Sequence, residues 1–463
     1  MAGTTASIAI YAGSFDPPGA NHRKIAELLT ERFDTVVIMP HGPRDGRQGE
    51  DSLPIHRSVM VDLNFRNLPR VRVELRDLEQ GRFTPHCDYQ RLFGDSDTEI
   101  VHVVSANDIR GGQYGKSRIQ QSWPQGQHLW DHARFLVLQE PRQPVDLADL
   151  PRHADRMEVP LMVDSHTIRT FLFDDNHAAV SGLLFPEVAS YIRRHGLFRP
   201  TPPARECLIQ IPEPRLRMFY DPRNADSVRI VEKLSAYEHS DPNMILVVGG
   251  DGTMLRAIRK HWRERLPFYG LNTGHHGFLL NDKSRTDFCQ HDLRLYQLPL
   301  LWVEMISQDG HHRGELCFND CWLERETGQT AWVEVAVNGQ VRMPKVVADG
   351  MLVATAAGST SYARAMGATP IPFNAPLLTL AGSNVLKPEF WHPAILTTDS
   401  IVRFRNLDPN KRPLRGFIDG VSQGQVIEMT ARVSNIAAVE LLFAREHDPV
   451  AKLALLQFPQ LAE

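Results

Sequence analysis

The sequence lacks a long apolar run, a cysteine framework and a strong net charge. It has 463 residues, 5 cysteines and a formal charge of -4 at neutral pH. No apolar run reaches the roughly 20 residues of a membrane-spanning helix, and the cysteines are too few for a disulfide framework. A charge near zero provides no long-range attraction to nucleic acid or to an anionic membrane. We therefore expect a cytoplasmic protein with a small ligand, with neither nucleic acid nor membrane as partner.

The beginning of the chain has no basic segment before its apolar stretch, so no signal peptide is expected. The composition is that of a globular protein, with 42% apolar and 23% charged residues. This length predicts about three structural units.

A glycine turn at residues 249–252 is the strongest local signal. The apolar segment Met244–Val248 before it predicts a buried parallel strand. Three apolar residues after it recur at helical spacing: Leu255, Ile258 and Trp262. The pattern therefore predicts a strand, a tight turn and a helix in immediate succession.

The turn has the composition of a phosphate-binding site. Gly249, Gly250 and Gly252 allow phosphates to approach the main-chain amides, and the new helix directs its positive end to the same place. The carboxylate of Asp251 would repel phosphates, which suggests a chemical role: it could accept a proton from an attacking hydroxyl or help to hold a metal ion. The alternative is an ordinary turn capped by Asp251.

A second turn of this type lies near the start of the chain. Residues 7–12 predict a strand, residues 13–18 a turn rich in glycine and proline, and the following helix has His22 in its first turn. Strands and helices continue to alternate up to about residue 138. This alternation predicts a doubly wound sheet, whose ligands bind at the carboxyl ends of the strands.

Two segments of this first half carry a resemblance. The sequence GSFDPP with His22, and VDSHTIR at 163–169, resemble the two signatures of nicotinamide or nicotinate mononucleotide adenylyltransferases. Asp108 and Trp130 occupy places where that family has an aspartate and a tryptophan. The chain departs from the family pattern at three positions: Gly19 for the first histidine, Asn21 for a glycine and His166 for a threonine.

The resemblance implies transfer of AMP from ATP to a mononucleotide, with release of pyrophosphate. Such a reaction needs alignment and charge neutralisation and no protein nucleophile. His22 and Arg169 would donate to the phosphates, Asp108 would hold a ribose hydroxyl, and Ser165 would cap its helix and donate as well. The nucleotide-binding residues of this half would be Gly13, Ser14, Phe15, Asp108 and Ser165.

Prolines and polar residues at 201–215 predict a linker. After residue 300 the pattern becomes mostly β, with strands expected at 314–323, 346–354, 401–407 and 437–444. Cys317 and Cys321 follow His311 and His312, but their spacing fits no common zinc pattern, so a reduced pair on a strand is the simpler interpretation.

Five ordered motifs of the second half resemble those of NAD kinases. They are GGDGT from residue 249, GLNTGHHGFL at 270–279, Asn319 with Asp320, ADGMLVATAAGSTSY at 348–362 and the Asp-Gly pair at 419–420. Diacylglycerol-type lipid kinases and phosphofructokinases share the GGDG turn, which leaves a lipid or sugar kinase as an alternative. The family usually has glutamate at position 320 and threonine at 357; this chain has Asp320 and Ala357.

This second resemblance implies ATP-dependent phosphorylation of NAD at the adenosine 2′-hydroxyl, with Mg2+ accompanying ATP and Asp251 accepting the hydroxyl proton. It also implies a homo-oligomer. The nucleotide-binding residues of this half would be Gly249, Gly250, Gly252, Thr253, Asn272, Gly274, Asn319, Asp320, Asp349, Ser359, Thr360 and Tyr362.

Together the patterns predict a fused α/β enzyme that makes NAD or its deamido form and then NADP. Residues 1–200 would form a Rossmann-like nucleotidyltransferase domain, 201–215 a linker, and 216–463 an NAD-kinase-like domain. The latter would contain an α/β part (216–290), a β-rich part (291–435) and a C-terminal return (436–463). Because Gly19 replaces a histidine, a first domain that only senses nucleotide is the alternative.

Overall fold

The structure is a computed structural model, and it describes residues 6–43, 51–95, 97–141, 144–160, 163–199, 207–274, 277–446 and 452–453. The chain divides into two compact units, Met1–Ala204 and Arg205–Glu463, called unit 1 and unit 2 below.

Unit 1 is built on a six-stranded sheet of order β3-β2-β1-β4-β5-β6. Every neighbouring pair in it is parallel. The strands are β1 (Ala6–Gly13), β2 (Thr35–Pro40), β3 (Val71–Val73), β4 (Thr98–Ser105), β5 (Arg134–Gln139) and β6 (Ala154–Glu158). The order reverses between β1 and β4, and in doubly wound sheets such a switch point is where ligands bind.

Helices of unit 1 connect and cover these strands. They are α1 (Ala20–Thr30), α2 (Pro54–Phe65), α3 (Arg76–Gln80), α4 (Tyr89–Phe93), α5 (Ala106–Ile109), α6 (Arg118–Ser122), α7 (Gly126–His132), α8 (Ser165–Phe173), α9 (His177–Val180) and α10 (Pro186–His195). One core cluster packs α1 against the sheet through Ile25, Ala26 and Leu29, all fully buried. The expected doubly wound architecture is therefore present in this unit.

Unit 2 begins with an α/β segment. Its elements are β7 (Cys207–Ile209), β8 (Leu216–Tyr220), α11 (Ala225–Leu234), β9 (Met244–Gly249), α12 (Asp251–His261), β10 (Phe268–Asn272) and β11 (Asn281–Asp282). Strands β8, β9 and β10 are parallel neighbours. The predicted strand, turn and helix around residue 250 are confirmed. Cys207–Ile209, assigned to the linker from sequence, is a strand instead, because it pairs with residues 293–295.

The rest of unit 2 is mostly β, as expected. Its elements are β12 (Leu293–Ile306), β13 (His312–Cys317), β14 (Asp320–Arg325), β15 (Ala331–Val337), β16 (Gln340–Ala348), β17 (Gly350–Thr355), α13 (Tyr362–Ala365), β18 (Leu377–Ser383), β19 (Ala394–Thr397), β20 (Val402–Asn406), β21 (Leu414–Ile418), β22 (Val421–Gln425) and β23 (Glu428–Ala444). An 11-stranded sheet continues from β8–β10 through β23, and a six-stranded sheet has the order β19-β18-β17-β14-β21-β22.

Two strands predicted as continuous are each divided between the two sheets. The segment 314–323 becomes β13 and β14, and the segment 346–354 becomes the end of β16 and β17. At the first break, the amides of Phe318 and Asn319 donate to the Asp419 carboxylate instead of to a neighbouring strand. The expected boundary between residues 435 and 436 is also wrong, since β23 runs through it and pairs with β20 before it and β10 after it.

Candidate functional site

The turn between β9 and α12 is shaped by close backbone packing. All six residues of β9 are buried. A Cβ atom on Gly249 would lie 2.5 Å from the Thr253 hydroxyl oxygen, whereas Gly250 and Gly252 face open space. Gly250 is the N-cap of α12, so the free amides of the first helical turn are presented at this open side. The turn can therefore receive an anionic group.

Asp251 is the first residue of α12, and its side chain does not cap the helix. Its two carboxylate oxygens accept hydrogen bonds from the amides of Phe278 (3.1 Å) and Leu279 (3.0 Å). Burial raises the pKa of this carboxyl, while the two amides and the charge of Lys452 oppose that rise. The capping interpretation of Asp251 is thus wrong, and the residue joins the glycine turn to the loop after β10.

The loop after β10 is held beside the same turn. The Thr273 amide donates to the Gly249 carbonyl at 2.9 Å, and the Thr273 hydroxyl bonds that of Ser227 on α11 at 2.9 Å. The Asn272 side chain accepts from the Gly274 amide at 3.0 Å. His275 and His276 of this motif lie outside the described residues. Asn272 and Gly274, both predicted from sequence, are therefore neighbours of the glycine turn.

Asn319 and Asp320 lie at the break between β13 and β14. Both are buried, and Asn319 Oδ1 and Asp320 Oδ2 have no hydrogen-bond partner. The Asp419 carboxylate fixes their backbone by accepting from the amides of Phe318 (3.0 Å), Asn319 (2.7 Å) and Asp320 (3.4 Å). Burial, reinforced by the nearby negative charge of Asp419, raises the pKa of Asp320 to about 7. Two oxygens at this break are thus buried without a hydrogen-bond partner among the residues that the structure describes.

The loop at 355–362 packs directly on this break. A Cβ atom on Gly358 would lie 2.2 Å from the Asn319 carbonyl oxygen. The buried Ser359 hydroxyl donates to Ala356 O (2.7 Å) and accepts from Ile371 N (2.9 Å), so it anchors the loop. Tyr362 is partly exposed, with its ring 5.0 Å from that of Trp322.

A cavity within unit 2 lies between the loop that binds Asp251 and the loop at 355–362. Phe278 and Leu279, whose amides bind Asp251, form part of its wall, and so does Thr360. The remaining lining residues are Tyr296, Ala356, Ala357, Ile371, Pro372, Phe373, Asn374, Lys452 and Leu453.

Asp349 is the one predicted residue of this half that lies apart from the others. It precedes β17, whereas Asp320 pairs with Ala354 near the opposite end of that strand. Its carboxylate binds Arg325 at 2.5 Å and Asn384 at 2.7 Å. Sequence reasoning left Asp419 and Lys452 out of the site; the Asp-Gly motif at 419 was a signal for the first, and no local pattern marks the second.

In unit 1, the two signature segments meet at the carboxyl end of β1. The Ser165 hydroxyl donates to Pro17 O at 2.9 Å, and the Asn21 side chain donates through Nδ2 to Val163 O at 3.2 Å. Arg169 donates to Asp16 O. Segments more than 140 residues apart in sequence are therefore joined side by side, as the ordered motifs predicted.

A second set of hydrogen bonds, from Arg57 of α2, also fixes the turn after β1. The buried guanidinium of Arg57 donates to Ser14 O (2.5 Å) and His41 O (2.7 Å). Phe15 is buried with a φ of 47°. Gly13 and Ser14 thus lie in a turn whose backbone is fixed by a charged side chain, which keeps its shape independent of ligand.

His22 lies in the first turn of α1, where sequence placed it. Its Nδ1 accepts from the Gly19 amide at 2.8 Å. Desolvation of the ring by burial lowers the pKa of His22 to about 4. The ring is therefore neutral at physiological pH, and because Nδ1 accepts a hydrogen bond, Nε2 carries the hydrogen. A Cβ atom on Gly19 would lie 2.4 Å from Asn21 Oδ1, so the replaced histidine of the signature would require Asn21 to move.

Asp108 lies in α5, directly after β4 and so at the same sheet edge as the β1 turn. Its carboxylate accepts from the Ser105 amide (3.0 Å) and hydroxyl (2.7 Å). The expectation that Ser165 caps α8 is wrong: Asp164 is the cap, since its side chain accepts from Thr167 N at 2.7 Å. Aspartate competes well for this position because its carboxylate favours the positive helix end.

The zinc hypothesis is not supported by the geometry. Cys317 and Cys321 are buried, whereas His312 begins β13 five residues away from Cys317 and both histidines are exposed. Among the described residues, no group of three His, Cys, Asp or Glu side chains is placed to hold a metal ion. Over the same residues, no helix is long and apolar enough to cross a membrane.

Known proteins with similar sequences match the part of the chain that forms unit 2. A family described as the ATP-NAD kinase N-terminal domain matches residues 212–288. The NAD kinase of Xanthomonas campestris pv. campestris is 34% identical over 242 residues, or 51% of this chain and 94% of the relative. The NAD kinase of Rickettsia bellii is 32% identical over 228 residues, which are 49% of this chain and 89% of the relative.

Among solved structures, the match to yeast NADH kinase complexed with NADH covers 56% of this chain and 95% of the yeast chain. The two are 15% identical, with a TM-score of 0.46. That likeness is too distant to support an argument about ligands. The sequence relatives and the family match define a transferase, and more narrowly a kinase. The chain belongs to the NAD kinase family.

Proposed function

We propose that unit 2 transfers the γ-phosphoryl group of ATP to the adenosine 2′-hydroxyl of NAD, giving NADP and ADP. The observation that carries this proposal is the Asp251 carboxylate, which lies beside the open glycine turn and is fixed by the amides of Phe278 and Leu279. A buried acid with a raised pKa is a better proton acceptor than an exposed one.

In this reaction the 2′-oxygen forms a bond to the γ-phosphorus as the bond to the ADP oxygen breaks. Asp251 accepts the 2′-hydroxyl proton, and the amides around Gly250 and Gly252 stabilise the phosphate oxygens. Mg2+ bound to ATP would supply charge neutralisation at the phosphates. Because positioning and electrostatics supply most of the rate in phosphoryl transfer, the fixed backbone around Asp251 is the central requirement.

NAD would bind along the cavity and the break between β13 and β14. Asn319 and Asp320 would provide the unpartnered oxygens for ribose hydroxyls, Thr360 of the cavity wall would border the base, and Tyr362, which follows it on the same loop, would lie against the base. Ser359 acts on the shape of this pocket through its internal hydrogen bonds, whereas Asp349, which binds Arg325 and Asn384, lies apart from it. A buried polar atom without a partner costs free energy, so ligand hydroxyls would relieve that cost on binding.

The test is to incubate the whole chain with ATP, magnesium and NAD and to separate the products by chromatography. The wild type is expected to form NADP, and Asp251→Asn is expected to lose at least about a thousandfold in kcat while keeping its fold. Retained activity in Asp251→Asn would remove the residue from this role. Phosphorylation of a lipid or sugar in place of NAD would favour the alternative kinase.

We propose that unit 1 transfers AMP from ATP to nicotinamide or nicotinate mononucleotide. The observation that carries this is the direct hydrogen bonding between the β1 turn and the segment 163–169, at the switch point of a parallel sheet. Arg169 and neutral His22 would donate to the triphosphate, the turn residues Gly13, Ser14 and Phe15 would shape its site, and Asp108 would receive a ribose hydroxyl.

This second function is tested on the whole chain by following pyrophosphate release from ATP with each mononucleotide supplied separately. Arg169→Gln is expected to reduce release at least about a hundredfold, because a charge that stabilises the leaving pyrophosphate is lost. Conversion of added NAD to NADP should be unchanged in this variant. Nucleotide binding by unit 1 without pyrophosphate release would support the sensing role instead.

A further inference from the structure

Lys452 approaches the Asp251 site from the far end of the chain. Its ammonium group donates to the carbonyl oxygens of Gly277 (2.8 Å) and Leu280 (3.2 Å). These carbonyls bracket the two residues whose amides hold Asp251. The neighbouring Leu453 is buried, and both residues line the cavity. A short C-terminal segment therefore contacts the loop that carries the Asp251 hydrogen bonds.

One peptide group connects the two charges. The Gly277 carbonyl and the Phe278 N–H belong to the same planar peptide unit, so the orientation of one determines the orientation of the other. Lys452 binds the oxygen of this unit, and the Asp251 Oδ2 binds its hydrogen. A hydrogen bond to the oxygen of a peptide polarises the group and strengthens the bond that its N–H makes.

We propose that Lys452 is a positioning residue for phosphoryl transfer: through the peptide unit between Gly277 and Phe278 it holds the loop that orients the Asp251 carboxylate. This inference rests on the proposed kinase function and adds to it a C-terminal residue that no sequence motif marks. Lys452 acts through the loop and does not itself touch the reacting atoms.

The electrostatic surroundings agree with this role. Burial lowers the pKa of Lys452, and the carboxylates of Asp251 and Asp282 oppose that change. A partly buried ammonium group is costly unless it is paired and hydrogen-bonded. The carbonyl partners of the Lys452 ammonium group and the nearby carboxylates lie around the Asp251 site. They therefore offset the free-energy cost of burying the ammonium group beside the loop that holds Asp251.

The experiment compares kcat and KM for NADP formation in the wild type and three variants of the whole chain. Lys452→Met keeps the aliphatic stem and removes the charge and the hydrogen bonds. Lys452→Arg keeps a cationic donor. Lys283→Met is the matched control, because it removes one positive charge nearby, from a side chain that pairs with Asp226 at 2.9 Å.

Lys452→Met is expected to lower kcat about tenfold, with KM for NAD and for ATP within about twofold of wild type. Lys452→Arg should recover kcat to within about threefold, and Lys283→Met should match the wild type. A wild-type kcat in Lys452→Met at an unchanged melting temperature would overturn the proposal. So would equal losses in Lys452→Met and Lys283→Met. If Lys452→Met is unfolded at the assay temperature, Lys452→Gln takes its place with the same criteria.

Failure of the kinase function itself has a different signature, since the wild type would then form no NADP. The loop contact is still tested in that case by hydrogen exchange at the Phe278 amide. Faster exchange in Lys452→Met than in Lys283→Met supports the contact, and equal exchange overturns it.

Discussion

At the scale of single residues, two buried acids in unit 2 have opposite hydrogen-bonding roles. Asp419 accepts hydrogen bonds from three successive amides. Asp320 lies beside it, and burial together with the Asp419 charge raises its pKa from 3.8 to about 7. Near neutral pH, a large fraction of Asp320 is therefore protonated and able to donate a hydrogen bond to a ligand oxygen.

This raised pKa predicts how stability depends on pH. Between about pH 4 and about pH 7 the folded state keeps a proton on Asp320 that the unfolded state releases, so this contribution is complete below about pH 4 and is lost as pH rises through about 7. The upper limit is ~4 kcal/mol, from 1.36 kcal/mol per unit of pKa. Asp320→Asn should remove this decline, which is measured by urea denaturation across that pH range.

The control for this prediction is Asp309→Asn, since Asp309 lies in an exposed turn, where its hydrogen bonds lower its pKa. It should leave the decline above pH 4 intact. If Asp320→Asn follows the wild-type pH dependence over the whole range, the buried carboxyl is ionised throughout and the donor role is wrong.

At the scale of elements, the proposed NAD pocket depends on how closely two irregular segments approach. The loop before α13 contacts the break between β13 and β14 through Gly358, whose α-carbon faces the Asn319 carbonyl. The amide of Thr355 donates to that same carbonyl at 2.8 Å. The separation of the two segments is therefore set by backbone contact together with the Thr355 hydroxyl, which donates to Phe318 O at 2.7 Å.

Gly358→Ala is expected to push these segments apart, because its Cβ would lie 2.2 Å from Asn319 O. We expect a loss of stability of about 1–3 kcal/mol, as for other overpacked sites, and a raised KM for NAD with a smaller effect on KM for ATP. Denaturation and steady-state kinetics measure the two effects. Gly328→Ala, where no atom lies within 4 Å of the new Cβ, should change neither; a comparable change there would contradict the explanation.

At the scale of the whole molecule, the two proposed reactions form a sequence. The dinucleotide that unit 1 would release is, in its amidated form, the proposed substrate of unit 2. Each proposed site is built from residues of its own unit. Variants in one unit should therefore leave the chemistry of the other unchanged.

This predicts that the wild-type chain converts nicotinamide mononucleotide and ATP into NADP without added NAD. Asp251→Asn should accumulate NAD, and Arg169→Gln should form NADP only when NAD is supplied. Chromatography of the products after fixed times distinguishes these patterns. Loss of both activities in either variant would show that the two sites depend on each other.

Much of the local structure followed from short-range patterns. The buried strand β9, the glycine turn and α12 are adjacent in sequence, so apolar periodicity and glycine content predict them without knowledge of the rest of the chain. The same holds for His22 in the first turn of α1. Prediction of the divided strands at 318 and 349 failed, because the alternation of side chains is the same whether a strand stays in one sheet or passes between two.

By itself, the sequence determined the order of elements, the two glycine turns, the acid within one of them and the family resemblances, since all of these depend on residues close together along the chain. Only the tertiary structure decided which groups meet: Asp419 with the amides of 318–320, Arg57 with the β1 turn, and Lys452 with the loop that binds Asp251. The physical reason is that a hydrogen bond between residues 43 to 175 positions apart depends on strand pairing and packing, and neither leaves a periodic signal at the two ends.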